Sequence, residues 1–264
     1  MRYKISIIMG IYNCSSTLDE AINSLLNQTY KNWKLIMCDD GSTDDTYQLA
    51  KKYTEKYENM IVIKNETNMG LNYTLNHCLK YADTEYIARM DADDISLPDR
   101  LEKEILFLEK NSGYAIVSTP MIYFDDKGDY RVGVGTGEPL IRNFVKSTPF
   151  CHAPSMVRKE AFDAVSGYSV EKKLLRVEDY HLWYKMYLKG YKGYNLKEPL
   201  YKMRDDRNAT KRRKYKYRLN EAYVKYLIIR DFNLPLSSYV YVFKPLVVGI
   251  LPTFFYEYLH KKVL

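Results

Sequence analysis

The sequence has few cysteines, and they are far apart. The chain of 264 residues contains four, at Cys14, Cys38, Cys78 and Cys151, and no two of them form a CxxC pair. This spacing argues against a disulfide framework and against a cysteine-based zinc site. It favours a protein of a reducing compartment.

Targeting and common nucleotide-binding signatures are also missing. No charged start is followed by a short apolar region, so we expect no signal peptide and a cytoplasmic catalytic part. No GxGxxG follows the first apolar run, and no GxxxxGK(S/T) occurs in the chain. Dinucleotide binding of the Rossmann type and a P-loop therefore lose support.

Most of the chain lacks an excess of either charge. The net charge is +7, but eleven Lys or Arg and only three acidic residues lie between positions 202 and 230, so the remainder is close to neutral. The basic character is thus a regional property. It says little about the first two hundred residues.

The composition is that of an ordinary folded protein, with 46% hydrophobic and 28% charged residues. The length allows one large domain, or one domain with an appendage. Short apolar runs at 4–10, 33–40, 60–65 and 86–91 alternate with helical patterns at 16–28, 42–57, 68–82, 98–111 and 178–190. This alternation predicts an α/β fold with a mainly parallel central sheet flanked by helices. We also expect a strand over 114–124 and a polar, glycine-rich excursion over 125–139.

Polar residues follow each of the four apolar runs, where a parallel sheet binds its ligands. They are Gly10 to Asn13 after the first run, Asp39 to Ser42 after the second, Lys64 and Asn65 after the third, and Asp91 to Asp94 after the fourth. Together they supply an aromatic ring, amides, a lysine and several carboxylates. That mixture suits a nucleotide pocket.

The acidic segment after the fourth run has two readings. In an extended chain, Asp91 and Asp93 point to the same side, so both can face one divalent cation or one ribose–diphosphate. Magnesium and manganese prefer such oxygen ligands. The alternative is a solvated polar turn that caps the helix beginning at Pro98.

Considered together, the motifs resemble those of the family 2 glycosyltransferases over about residues 4–205. The segments that carry the resemblance are SIIMGIYN, SLLNQTYKNWKLIMCDDGSTDDT, NMGLNYTLN, YIARMDADDISLPDRLEKE and VEDYHLWYKM, in the family's order and spacing. The resemblance implies a GT-A fold over residues 1–205, with a nucleotide-binding half at 1–97 and an acceptor-binding half at 98–205. A helical, basic and aromatic extension over 206–264 would follow.

The resemblance also implies an activity. Such enzymes transfer a sugar, with inversion, from a nucleotide diphosphate donor, commonly UDP-linked, to a hydroxyl group. The acceptor here would be a glycan or a lipid-linked sugar in surface polysaccharide biosynthesis. A divalent cation, Mn²⁺ or Mg²⁺, would be the cofactor.

Matched position by position, the resemblance assigns a set of nucleotide-binding residues. They are Ile11, Tyr12, Asn13, Asp40, Lys64, Asn68, Gly70, Arg89, Asp91, Ala92 and Asp93. Asp40, rather than the adjacent Asp39, would accept a hydrogen bond from the base. Asp93 would be the main metal ligand with Asp91 beside it, and Asp94 is the weaker assignment.

The catalytic base would lie in the pair Glu178–Asp179. We assign that role to Asp179, with Glu178 contacting the acceptor or orienting its neighbour; exchanged roles and a simple acidic helix start remain alternatives. Three further residues have weaker assignments near the acceptor or the diphosphate. His152 and Trp183 could equally be core residues, and Arg204 stands where the family often approaches the diphosphate.

The end of the chain is basic and rich in tyrosine to about residue 231, and then apolar. Lys244, Pro245 and Pro252 interrupt the apolar part, so no uninterrupted span of about 20 apolar residues exists. The pattern fits peripheral contact with the inner face of the plasma membrane. Packing on the catalytic domain and a homo-oligomer interface are the alternatives, and no motif supports nucleic-acid binding.

Two other functions stay open at this point. A nucleotidyltransferase would make a sugar nucleotide instead of consuming it and would release pyrophosphate. A non-catalytic scaffold at the membrane surface would depend only on the basic extension.

Overall fold

The computed structural model describes residues 2–205 and 214–250. Sequence-based expectations for 206–213 and 251–264 lie outside the described residues. The strands are β1 (Ile5–Ile11), β2 (Trp33–Asp39), β3 (Met60–Lys64), β4 (Tyr86–Arg89), β5 (Ile95–Ser96), β6 (Ile116–Ser118), β7 (Met121–Asp125), β8 (Gly128–Val132), β9 (Met156–Arg158), β10 (Gly193–Asn195) and β11 (Tyr201–Arg204). The helices are α1 (Leu18–Leu26), α2 (Thr46–Lys56), α3 (Leu71–Leu79), α4 (Arg100–Lys110), α5 (Ile141–Phe144), α6 (Lys159–Ala164), α7 (Glu178–Leu188), α8 (Tyr215–Asp231) and α9 (Val240–Ile250).

The larger sheet has seven strands in the order β10-β6-β9-β4-β1-β2-β3. Strands β4, β1, β2 and β3 run parallel, and β9 is antiparallel to both of its neighbours. The prediction of an α/β fold with a mainly parallel central sheet is confirmed. Since β9 belongs to the expected acceptor half, the division at residue 97 does not coincide with a gap in the sheet.

Both faces of the central strands are buried, which explains their nearly continuous apolar runs. In β1, Ile7 and Met9 enter the core on one face of the sheet, whereas Ile8 enters the core on the other. Helix α3 covers the second face with Leu75 and Cys78. Most polar side chains therefore appear where the strands end, while Ser6 inside β1 is buried and bonded to Thr84.

A smaller sheet, in the order β5-β11-β7-β8, corrects two expectations. The predicted strand 114–124 is divided into β6 and β7, which lie in different sheets. Pro120 lies between them and has no N–H to donate to a ladder, so the strand cannot continue through it. The expected excursion at 125–139 contains strand β8, which forms a hairpin with β7 after a turn in which Gly128 has φ +107°.

The described part of the C-terminal extension packs on the catalytic domain. Val224 and Ile228 of α8 are fully buried in the same core as Trp183 of α7. Within residues 2–205 and 214–250, no helix has both the length and the apolar character needed to cross a bilayer. Helix α8 is therefore part of the folded core.

A buried ion pair between Arg100 and Glu104 contacts the last residue of β4, Arg89. The Arg100 guanidinium donates to Glu104 at 3.3 Å and to the backbone carbonyl of Arg89 at 2.8 Å, and it lies over the ring of Tyr201. Arg100 and Glu104 are both fully buried. Burial raises the pKa of Glu104 to about 7, while the neighbouring charge of Arg100 opposes that rise.

We predict that Glu104→Leu destabilises the fold by about 3–5 kcal/mol, because it leaves the Arg100 charge buried without a partner. The double variant Arg100→Met/Glu104→Leu should recover most of that loss. Guanidinium chloride unfolding at neutral pH measures both free energies. The matched control is Asp163→Ala, which removes an exposed i,i+4 ion pair with Lys159 and should cost less than about 0.5 kcal/mol. Equal losses in Glu104→Leu and the double variant would contradict the prediction.

Candidate active site

The carboxyl ends of β1, β2, β3 and β4 form one edge of the larger sheet, which we call the carboxyl edge. The strand register places Ile11, Asp39 and Lys64 side by side across three strands. Arg89 ends the fourth strand at the same edge. The structure thus brings together the polar groups that follow the four apolar runs, as the parallel sheet predicted.

Two loops meet beyond β1 and β2. Asn13 has a left-handed backbone with φ 47°. Its side-chain oxygen accepts from the backbone N–H of Thr43 at 2.9 Å, and its own N–H donates to the Ser42 hydroxyl at 3.0 Å. Tyr12 beside it is about half exposed. This leaves the Tyr12 ring open to a ligand while the backbone under it is fixed.

The two adjacent carboxylates after β2 have different surroundings. Asp40 is almost fully buried and accepts from the Asn65 amide at 2.8 Å and from the backbone N–H groups of Met69 and Gly70 at 2.8 and 2.9 Å. Asp39 has only two long bonds from the N–H of Ser42, both 3.3 Å. Asp40 therefore holds the loop between β3 and α3, and its assigned contact with the base stays a prediction.

That loop carries two further nucleotide-binding candidates. Gly70 has φ +87°, a conformation that favours glycine. Asn68 lies against Gly41, where an added Cβ would come within 3.0 Å of the Asn68 nitrogen. Lys64 is half exposed, lies 3.9 Å from the Asp39 carboxylate and sits over the ring of Tyr47. These side chains and backbone groups line the β2–β3 side of the carboxyl edge.

A buried guanidinium lies at the centre of the site. Arg89 is 5% exposed and forms an ion pair with Asp91. The backbone N–H of Asp91 donates to the hydroxyl of Tyr201 at 3.1 Å. Arg89 thus balances the charge of Asp91 from beneath the surface. The small side chain of Ala92, between Asp91 and Asp93 in the sequence, is also buried.

The next two carboxylates differ in exposure. Partial removal from water and the neighbouring charge of Asp91 raise the pKa of Asp93, whose residue remains exposed to solvent. Asp94 is buried and accepts from the backbone N–H of Arg204 at 2.8 Å. Burial, followed by the charges of Asp91 and Asp93, raises the pKa of Asp94 to about 8. The hydrogen bond from Arg204 joins Asp94, and with it the acidic turn, to β11.

The acidic turn fits a hard divalent cation in part. Asp91 and Asp93 present oxygen donors, and the charge of Asp91 is, after burial, the second cause of the raised pKa of Asp93. In the described part of the chain, no cluster of three or more His, Cys, Asp or Glu could hold a metal. Two carboxylates suit Mg²⁺ or Mn²⁺ when substrate phosphates and water supply the other oxygen ligands.

Arg204 reaches the acidic turn from β11. Its Nε donates to the backbone carbonyl of Asp93 at 3.1 Å, its guanidinium pairs with Glu20, and it lies over the ring of Phe124. The structure therefore places Arg204 beside the turn. Because an ion pair already engages it, its contact with a diphosphate stays a prediction.

The pair Glu178–Asp179 opens α7, and the charge of Arg89 reaches Asp179. Burial, followed by the charge of Glu178, raises the pKa of Asp179 to about 6, and the positive charge of Arg89 lowers it. The Thr148 hydroxyl lies 3.5 Å from its carboxylate. Arg89 also lowers the pKa of Asp93. Its charge therefore acts on both acidic groups, which come from distant parts of the sequence.

His152 and Trp183 line the buried side of this cluster. His152 Nε2 is 2.8 Å from the hydroxyl of Tyr168, and burial and the charge of Arg89 lower the pKa of His152 well below its usual value. Trp183 is fully buried against Phe150 and His152. Of the two alternatives given for Trp183, the weak assignment near the acceptor is therefore wrong and the core residue is right, because the whole ring is inside the core.

Sequence reasoning missed several residues that shape the site. Tyr201 accepts from the Asp91 backbone, Tyr168 bonds His152, and Arg176 has a left-handed backbone with φ 67° just before the acidic pair. No local pattern marked the two tyrosines, since their partners are more than 15 positions away. The one hint in the sequence was Gly167, which precedes Tyr168 and forms a turn with φ +66° in the structure.

Comparisons with known proteins agree with this arrangement. The sequence profile of Glycosyl transferase family 2 matches residues 6–166. EpsE of Bacillus subtilis (strain 168) is 46% identical over 262 residues, which cover 98% of this chain and 94% of EpsE. The Escherichia coli UDP-Glc:alpha-D-GlcNAc-diphosphoundecaprenol beta-1,3-glucosyltransferase WfaP is 34% identical over 192 residues, 72% of this chain and 73% of WfaP.

A solved structure supports the fold. The crystal structure of S. aureus TarS 1-349 in complex with UDP aligns with a TM-score of 0.69 and 21% identity, over 94% of this chain and 70% of that chain. At this identity the likeness concerns the fold alone. The family profile, in contrast, matches more than half of the sequence, and EpsE matches almost all of it. This chain therefore belongs to glycosyl transferase family 2 and is a glycosyltransferase.

Proposed function

We propose that this protein transfers a sugar from a UDP-linked donor, with inversion, to a hydroxyl of a glycan or lipid-linked acceptor during surface polysaccharide biosynthesis. One observation carries the proposal: the charge of the buried Arg89 guanidinium acts on two acidic groups, on Asp91 through an ion pair and on Asp179, whose pKa is raised by burial and lowered by Arg89. The names of WfaP's donor and acceptor favour a nucleotide sugar and a lipid diphosphate carrier here. No feature of the described residues favours a nucleotidyltransferase or a non-catalytic scaffold.

The donor would bind along the carboxyl edge. Tyr12 offers an exposed ring for the nucleoside, and Asp40 fixes the loop between β3 and α3 at the same edge by accepting from its backbone N–H groups. The diphosphate would then lie toward Asp91 and Asp93. These two residues would hold Mn²⁺ or Mg²⁺, which supplies positive charge that stabilises the departing diphosphate.

Asp179 is the proposed base. Its carboxylate takes the proton of the acceptor hydroxyl as that oxygen forms a bond to the anomeric carbon. The bond between this carbon and the diphosphate oxygen breaks on the opposite face, and the electron pair leaves with UDP. A single displacement of this kind inverts the configuration. Glu178 lies beside the base, and its charge keeps the pKa of Asp179 high.

A peripheral membrane contact is the remaining part of the proposal. Five large apolar side chains follow one another at intervals of four and three positions on α9 and the turn before it: Leu236, Val240, Phe243, Val247 and Ile250. All are at least 58% exposed. Lys244 is exposed among them, and basic residues precede and follow this segment in the sequence. An apolar face flanked by positive charge suits an anionic bilayer surface.

The pH dependence of transfer tests Asp179. Because only the ionised carboxylate accepts a proton, kcat/KM, which reports the groups of the free enzyme, should rise with pH through a midpoint near the pKa of about 6 and then level off. Asp179→Asn should lower kcat by roughly 100- to 10,000-fold and remove this rise. UDP release from a series of UDP-sugars measures both quantities, with Asp163→Asn, an exposed aspartate of α6, as control. An unchanged pH profile in Asp179→Asn would rule out Asp179 as the base.

The cation requirement tests the acidic turn. The rate of UDP release should fall to background in EDTA and return when Mn²⁺ or Mg²⁺ is added. Asp93→Ala should lower that rate by at least about tenfold with either metal, because the negative charge on the departing diphosphate is then poorly balanced. Asp129→Ala, which removes an exposed carboxylate paired with Lys202, is the control. Full turnover in EDTA would contradict the metal role.

Membrane contact is testable with vesicles of equal parts phosphatidylcholine and phosphatidylglycerol. The full-length protein should sediment with them, and Phe243→Glu/Val247→Glu should weaken that binding at least about tenfold, because two apolar side chains no longer enter the interface. Val134→Glu, at an exposed valine in the loop after β8, is the control. A different result would contradict membrane contact: neither wild type nor double variant binds vesicles, the wild type and Val134→Glu are dimers, and the double variant is a monomer. The apolar face of α9 would then be a contact between two copies of the chain.

A further inference from the structure

A chain of hydrogen bonds runs from the last turn of α3 to the carboxyl edge. His77 Nδ1 lies 2.8 Å from the side-chain oxygen of Asn65, and the Asn65 amide nitrogen donates to Asp40 at 2.8 Å. Asp40 then accepts from the backbone N–H groups of Met69 and Gly70. His77 is half-buried, whereas Asn65 and Asp40 are at most 5% exposed.

The chemistry of these groups fixes the direction of each bond. An ionised Asp40 carboxylate can only accept, so the NH₂ group of Asn65 must face it. The second hydrogen of that group goes to the hydroxyl of Thr74 at 3.0 Å, and this hydroxyl donates to the carbonyl of Gly70 at 3.0 Å. The Asn65 oxygen therefore faces His77, and His77 must carry its proton on Nδ1.

Both hydrogens of the Asn65 amide are thereby used. Its oxygen has one other neighbour, the thiol of Cys38 at 3.6 Å, which is a weak donor. Replacement of the His77 donor would leave a buried amide oxygen with little compensation. The orientation of Asn65, and through it the position of Asp40, consequently depends on His77.

The network controls the shape of one loop. Residues 66–70 connect β3 to α3, and the loop reaches α3 through Gly70 in a left-handed conformation. Asp40 fastens the end of the loop, Thr74 fastens the Gly70 carbonyl, and Gly41 packs against the Thr67 and Asn68 backbone. The loop lies beside the row formed by Ile11, Asp39 and Lys64. In an open parallel sheet this is the place where ligands bind.

We propose that Asn65 and His77 are positioning residues that hold the 66–70 loop in the conformation that receives the nucleoside of a nucleoside diphosphate donor. The proposal rests on the function proposed above. It adds two residues that touch no reacting atom, and it assigns the His77 side chain one tautomer. A preformed loop costs less conformational entropy on binding, so the network contributes to donor affinity and not to the chemical step.

The test compares His77→Phe, which keeps a ring and removes the donor, with His77→Gln, whose amide can donate again. Calorimetric titration with UDP measures affinity without any transfer reaction. His77→Phe should weaken UDP binding by roughly three- to tenfold, the effect of one lost hydrogen bond. It should raise the KM for the donor by a similar factor and leave kcat within about twofold, and His77→Gln should recover part of the affinity.

The matched control is Asn59→Ala. Asn59 also donates a side-chain amide hydrogen bond, to the carbonyl of Trp33 at 3.1 Å, but at the opposite end of β2. It should lower the thermal stability comparably without changing UDP affinity. If the two variants weaken UDP binding equally, or if His77→Phe binds UDP as tightly as wild type, the positioning role is overturned.

A second measurement does not depend on the nucleotide. Nitrogen-15 spectra of the free protein near neutral pH should show His77 with its hydrogen on Nδ1. A hydrogen on Nε2 alone would contradict the network, whatever the protein transfers. If the wild type binds no UDP, the proposed donor fails and the role of the 66–70 loop in receiving it fails too, while the tautomer of His77 is still tested by the spectra. UDP binding that His77→Phe leaves unaffected removes the positioning role alone.

Discussion

The site depends on one buried positive charge, the guanidinium of Arg89. Carboxylates from two distant segments lie around it, and without it their mutual repulsion would oppose folding. Arg89 pairs with Asp91 and lowers the pKa of Asp93 and Asp179 against the effects of burial. Its backbone is held in turn by Arg100, whose own charge is balanced by Glu104. The buried charges of Arg100, Glu104 and Arg89 thus lie beneath the exposed carboxylate of Asp93.

The same charge explains how groups with different chemical roles can share a small space. Asp93 remains open to solvent, where a cation and phosphates could balance its charge, while Asp94 is buried with a raised pKa and accepts a hydrogen bond from the backbone of β11. Asp179 is held near the middle of the pH range by burial and Glu178 on one side and Arg89 on the other. Asp93, Asp94 and Asp179 are the same residue type, so their surroundings account for the differences in their pKa values.

The sequence predicted the central sheet well because strands buried on both faces leave a nearly continuous apolar signal. The expected run 33–40 is β2, Trp33–Asp39, and the expected helix 98–111 is α4, Arg100–Lys110. The strand ends, and therefore the positions of Asp40 and Lys64, followed from that pattern, whereas Arg89 lay inside the expected run 86–91 and was singled out only by the family resemblance. Local patterns could not show that Pro120 divides a strand between two sheets, nor that Trp183 faces the core.

The C-terminal extension shows the same limit. Its charge indicated a separate basic segment, yet Lys225 of α8 is buried and paired with Glu221, and the helix closes the core. A side chain's partner depends on tertiary packing, which charge counting does not report. Among residues 214–250 of the extension, the exposed face of α9 retains the apolar character that the sequence suggested.

The stereochemistry of transfer tests the account most directly. A UDP-α-sugar and a suitable acceptor can be incubated with the full-length enzyme, and the anomeric configuration of the new linkage read by proton NMR. A single displacement assisted by Asp179 predicts a β-linked product. An α-linked product would require a second displacement and would contradict the mechanism.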